Sequence, residues 1–435
     1  MFKLSIPGIL GMLVVGLYSF VDAIFVGQWV GPEALGGISV AYPFTIINNA
    51  LAVLIGMGSS SILSRAIGKK DKKLIEKIPG NLTVLILISS VIVTVLGTVF
   101  PEQIMELSGS SNMIKQYGAN YLRIIFLGSF FVNFSQSANM LIRGEGKMKI
   151  AMLIMGIGAM LNIALDPIFI KVFNWGLEGA AYATVLSQFI QMIITFVYFS
   201  RFSKTLKLRN FRVDKPLTRE VMTVESSGMM MQVMTIIQQL LIFNVIGRYS
   251  GSDETIIMGA VLRYMSFAFI PVWGMAQGFQ PLVGTNYGAG KNDRVVKSLG
   301  IFCVASTVLT LIFWLPFVFA NNSVLSMFVK DPVIIQEYSG RTLLFMAAYP
   351  IFGILVMAIT LFQALGKAKI AGMLVMMRQI LLFIPLVLIL PLFFKSMGVW
   401  ISFPVADVVV FMASLVIIRN SVKSLNSNMI REKAY

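Results

Sequence analysis

The 435-residue chain contains no histidine. That excludes imidazole as an acid–base group and as a metal ligand, so proton chemistry near neutral pH falls to carboxylates. A single cysteine, Cys303, rules out a disulfide within the chain. Charge is scarce: 12% of residues are charged and 57% are hydrophobic, whereas an ordinary soluble domain carries about twice that charge. Phosphate-loop, dinucleotide and zinc-protease signatures are absent. With no histidine and no constellation around a nucleophile, the chain is expected to be neither an enzyme nor a cofactor protein.

What the chain does have is apolar sequence in stretches of about 20 residues, the length that crosses a bilayer as a helix. These runs are too long and too continuous for the alternating strands of a membrane barrel. Helices then satisfy their own backbone in lipid. Twelve spans are expected, near 4–28, 36–64, 80–100, 115–142, 149–171 and 177–200, then 222–248, 256–285, 297–319, 337–364, 371–394 and 398–419. The first run is far longer than a signal-peptide core and lacks a small-residue cleavage site, so it is expected to be retained. The fold class is an all-α integral membrane protein.

The net charge of +16 reads as topology rather than nucleic-acid binding. Cations cluster in alternate loops: 65–77, 143–149, seven between Arg201 and Arg219, then 291–297, 367–369 and the tail from Arg419. The opposite loops are nearly bare. The positive-inside rule places the basic loops and both termini in the cytoplasm, in a plasma or inner membrane.

The polar stretch 201–219 falls near the middle, so the chain reads as a six-helix lobe (1–200), a cytoplasmic linker (201–219), a second six-helix lobe (220–420) and a cytoplasmic tail (421–435). The halves resemble one another. "RAIGKKDKK" (65–73) aligns with "YGAGKNDRV" (287–295), "RGEGKMKIA" (143–151) with "QALGKAKIA" (363–371), and Gly176 with Gly398, at offsets of 220–222 residues. Six spans per repeat give both repeats the same orientation. Such parallel repeats are a transporter architecture with the substrate path between them.

Acids inside apolar spans are rare and functional by default. Three stand out: Asp22, Asp166 and Asp407. At ~1.5 Å per residue, Asp22 lies ~13 Å and Asp166 ~8 Å in from the same side, and Thr184 lies ~12 Å in. Asn162 is one turn from Asp166 on the same face. Two carboxylates, an amide oxygen and a hydroxyl are hard oxygen donors, suited to a proton or a small cation such as Na⁺ and to no transition metal. Tyr18, Tyr121 and Asn139 are weaker neighbours. The second half has Ile242 where the first has Asp22, so the repeats share shape but not chemistry. Its polar candidates are Gln239, Arg263, Gln280, Arg378 and Asp407, taken as buried. Asp407 is expected to neutralise Arg378 or Arg263.

"SFVDAIFVG" (19–27), "LNIALDPIFI" (161–170) and "GAAYATVLSQ" (179–188) resemble, in order, first-half signatures of the multidrug and toxic compound extrusion family. "GFQPLVGTNYGAG" (278–290) resembles the close of that family's eighth helix, and "AYPIFGI" and "FPVAD" are similar to its MepA-like and DinF-like bacterial branch. The resemblance implies twelve helices in two pseudo-symmetric lobes and a monomeric antiporter that expels cationic amphiphilic compounds in exchange for Na⁺ or H⁺. It also implies an ion site at Asp22, Asn162, Asp166 and Thr184. The rival reading is a flippase of related fold for lipid-linked saccharides or other anionic lipids, which Arg263 and Arg378 favour.

Overall fold

The computed structural model describes residues 2–106, 112–203, 205–250, 252–329 and 331–433, and no strand occurs among them. Lys204 and Lys330, and the side chains beyond Leu425, lie outside the described set. In the first half run α1 (Phe2–Trp29), α2 (Pro32–Lys69), α3 (Lys72–Val99), α4 (Pro101–Glu106), α5 (Asn112–Leu127), α6 (Ser129–Gly144), α7 (Met148–Pro167) and α8 (Gly176–Val197). In the second run α9 (Lys215–Tyr249), α10 (Ser252–Gly288), α11 (Asn292–Phe319), α12 (Asn321–Leu325), α13 (Pro332–Met346), α14 (Tyr349–Ala364), α15 (Ala368–Met376), α16 (Phe383–Phe394) and α17 (Met397–Lys433). Ten described segments are long and apolar enough to cross a membrane. The α5–α6 pair, bent by 57° at Gly128, makes an eleventh. The 28-residue α1 carries a shorter apolar stretch, Ile6–Leu17.

Local chemistry sets the helix ends. Pro32 starts α2 at a position where its missing N–H is no loss. Lys70 ends that helix in the left-handed region, and Asp71 then caps α3 by accepting from Leu74 N at 3.1 Å. Asp331 caps α13 in the same way through Val333 N at 2.9 Å.

The repeat is visible in the backbone. Left-handed residues recur as Lys70 and Gly290, Gly146 and Gly366, and Asn174 and Lys395. The short α4 has its counterpart in α12, and the α5–α6 break has its counterpart between α13 and α14.

The chain divides into two compact units. One is Leu10–Gln232; the other is Met1–Ile9 with Val233–Tyr435. The boundary thus falls within α9 rather than in the polar linker, whose irregular backbone runs from 205 to 214. The start of α9 is bound to α2 and α3. Arg65 pairs with Glu220 at 3.0 Å, and Asn81 Oδ1 accepts from Asp214 N at 2.9 Å and from Thr218 Oγ1 at 3.1 Å. Helix α17 continues through the stretch expected as tail, to Lys433.

Inside the first unit, α2, α3 and α6 are joined by buried polar side chains. Asn133 Nδ2 donates to Asn48 Oδ1 at 2.8 Å and to Ser90 Oγ at 3.1 Å, and Ser137 Oγ donates to the Ala52 carbonyl at 2.8 Å. Interhelical hydrogen bonds of this kind bind helices where lipid supplies no hydrophobic drive between them.

Candidate functional site: a buried acid cluster in the first unit

Asn162 and Asp166 lie one turn apart on α7, and both are buried, Asp166 completely. Asn162 Nδ2 faces Asp166 Oδ1 at 3.3 Å and Thr184 Oγ1 of α8 at 3.4 Å. The helix pair can approach this closely because Gly179 at the start of α8 has no side chain. A Cβ there would stand 2.7 Å from the Phe169 carbonyl. Just beyond Asp166, Pro167 ends the regular helix and the chain continues as a wide π turn over Ile168–Val172.

Asp22 of α1 lies within electrostatic reach of Asp166. Three buried oxygens of this set have no hydrogen-bond partner: Asp22 Oδ1, Asp166 Oδ2 and Asn162 Oδ1. No Lys or Arg forms an ion pair with either acid among the described residues.

The weaker neighbours divide. Tyr121 packs on an apolar layer of Val26, Ala34, Ile170, Leu177 and Ala180, one turn from the acids. Asn139 is committed elsewhere. Its Nδ2 donates to the Ala151 carbonyl at 2.6 Å, eleven residues and so ~16 Å along α7 from Asn162. The Tyr18 side chain lies outside the described set.

In the second unit, Arg378 Nε donates to Asp407 Oδ1 at 2.6 Å, and both side chains are buried. The guanidinium also lies over the Phe352 ring, 4.9 Å from its centroid. Gln280 is buried with Nε2 unpartnered. Gln239 and Arg263, expected to be buried, are exposed. The reason is helical rotation: Gln238 and Tyr264 take the inward positions, so the residues beside them turn about 100° away.

Two further acids are buried that span counting passed over, Glu225 and Glu254. Glu225 lies ten residues into α9, near the start of the expected span 222–248, and Glu254 lies in the first turn of α10, just before the expected span 256–285. Glu254 Oε1 accepts from Arg341 Nη1 at 2.5 Å and from Trp400 Nε1 at 2.6 Å, joining α10, α13 and α17.

Family comparison covers both halves of the chain. The MatE family model matches residues 7–168 and again residues 227–389. The chain belongs to the MatE family. The two MatE matches begin 220 residues apart, the repeat offset already seen. The first covers Asp22, Asn162 and Asp166, and the second covers Gln239, Arg263, Gln280 and Arg378.

Among relatives, the multidrug export protein MepA of Staphylococcus haemolyticus is 24% identical, over 96% of this chain and 92% of its own length. A protein of Shewanella oneidensis named FAD transporter is 24% identical, over 88% of this chain and 86% of its own. Among solved structures, the MATE multidrug transporter DinF-BH aligns with a TM-score of 0.90 and 33% identity, over 96% of this chain and 94% of that one. The chain is therefore a multi-pass membrane transporter of the multidrug-efflux MatE family, not an enzyme.

Proposed function

We propose that the protein is a secondary active exporter of the plasma or inner membrane. It exchanges small cationic amphiphilic compounds for H⁺ or Na⁺ by alternating access. The observation that carries this reading is the set of unpartnered oxygens on Asp22, Asp166 and Asn162. A buried ionised carboxylate is unfavourable unless something neutralises it. Among the described residues no Lys or Arg pairs with them, which leaves that role to a mobile cation. An inbound H⁺ or Na⁺ and an outbound organic cation then compete for the same negative charge. Neither binds well while the other is present, and that exclusion couples the two fluxes.

The rival, a carrier of anionic lipid or another anion, draws on Arg263 and Arg378 and on the relative named FAD transporter. Arg378 is neutralised by Asp407, which removes one of its two cations. The acids of the first unit favour cationic cargo.

Reconstitution into proteoliposomes, with Na⁺ and pH gradients imposed separately, tests the proposal. Efflux of a cationic dye driven by one gradient is the expected result. Dye movement that ignores both gradients, or transport of anionic cargo only, would sink it.

A further inference from the structure

At the end of the first unit opposite the cation-rich loops lies a cavity of about 350 Å³. It is lined by Gln116, Tyr117, Asn120, Asn174, Trp175 and Glu178, on a floor that includes Val30 and Leu177. That volume falls within the range of small-molecule pockets. We infer that it is a second binding site, for an aromatic or alkyl organic cation, distinct from the acid cluster. This inference rests on the reading that the cargo is cationic.

Three observations carry it. The first is charge. Glu178 is the only charged residue of the lining, and it forms no ion pair among the described residues. Asn120 Nδ2 donates to its Oε1 at 2.9 Å, which holds this exposed carboxylate in place without neutralising it. The nearby lysines are engaged elsewhere: Lys115 with Glu106, and Lys171 over the Trp29 ring.

The second is the aromatic wall. Trp175 and Tyr117 are 49% and 37% exposed, so ring surface remains open to a ligand. Trp175 is braced from behind by Phe169, Phe173 and Tyr182, with ring centroids 5.2–5.6 Å away. The turn that presents it is tight: Asn174 and Gly176 on either side both have φ of 56°, the left-handed region that Gly and Asn adopt most readily. A carboxylate beside open aromatic faces is the chemistry that recognises organic ammonium and phosphonium ions.

The third is position. Val30 and Leu177 of the floor pack with Val26 and Ile170. Val26 is one turn from Asp22 and Ile170 one turn from Asp166. The cavity is thus separated from the acid cluster by a single apolar layer, about 12 Å from Asp22 along the chain of α1 and Val30. The equivalent turn of the second unit carries Lys395 and Ser396, so the feature belongs to one repeat only.

Equilibrium binding of tetraphenylphosphonium to the purified full-length protein tests this. The background is Asp22→Asn/Asp166→Asn, which disables the acid cluster. Residual binding is expected there, weakened roughly tenfold by Glu178→Gln or Trp175→Leu and retained by Trp175→Phe. Unchanged melting of each variant establishes folding. Tyr117→Leu provides a second wall variant should Trp175→Leu melt early. No residual binding in that background, or binding indifferent to all three wall and charge variants, overturns the site. If instead Asp22→Asn and Asp166→Asn leave ion-driven efflux intact, the antiport reading falls, while residual binding sensitive to Glu178→Gln still stands.

Discussion

The Asn162 amide faces one carboxylate oxygen of Asp166 at 3.3 Å, and the other oxygen of that carboxylate has no protein partner. The amide thus orients the acid without neutralising it. A group fixed this way is ready to bind a cation and unfavourable without one.

The first consequence concerns stability. Asp166→Asn replaces a buried, uncompensated acid by a neutral group of the same shape. It is expected to stabilise the protein by roughly 1–3 kcal/mol, the desolvation penalty it removes. Thermal denaturation in detergent without Na⁺ checks this, with a raised midpoint as the expected result.

The Arg378–Asp407 pair behaves oppositely. Asp407→Asn or Arg378→Met alone leaves one buried charge exposed to low dielectric, a loss of about 3–5 kcal/mol. The double variant is expected to recover most of that stability and to keep ion-driven efflux, as a structural pair should. A stable double variant that has lost coupling would instead assign Asp407 a part in transport.

Asp214 gives the linker a pH dependence. Its carboxylate accepts from Lys77 at 3.0 Å and from Leu217 N at 3.1 Å, which hold its pKa below the usual carboxylate value. For a depressed acid the contribution to stability is complete above the ordinary carboxylate pKa and is lost as pH falls through the depressed one. Limited proteolysis within 205–214 should be constant from neutral pH down to the ordinary carboxylate range and rise below it. Asp214→Asn should show the raised rate at every pH.

Gly80 tests the same docking by shape. A Cβ there would stand 2.2 Å from the Arg209 carbonyl and 2.4 Å from the Asn210 carbonyl, both backbone atoms. Gly80→Ala is expected to displace the linker and speed its cleavage at neutral pH. Cleavage at the wild-type rate would show that the contact yields without displacement.

Much of this was legible in the residues, for identifiable reasons. A membrane span needs a long apolar run, so the ten long apolar helices and the bent α5–α6 pair could be located. The glycines and lysines that mark the repeat also set left-handed helix ends, which is why Gly146 and Gly366 recur in both sequence and backbone. Asn162 and Asp166 share a helix face by spacing alone. What spacing could not convey was packing between helices. It did not show that Asn139 is used by Ala151, nor which face of α9 and α10 turns inward. Glu254 escaped because α10 extends past its apolar run, so an acid near its end looks like a loop residue, whereas Glu225 lies inside the expected span 222–248, close to its start.

The most direct test of the central claim is dye efflux from proteoliposomes holding Asp22→Asn or Asp166→Asn protein, under imposed Na⁺ and pH gradients. Loss of gradient-driven efflux in both variants, with the proteins folded and inserted, is the predicted result. Wild-type ion-driven efflux in both would contradict the account.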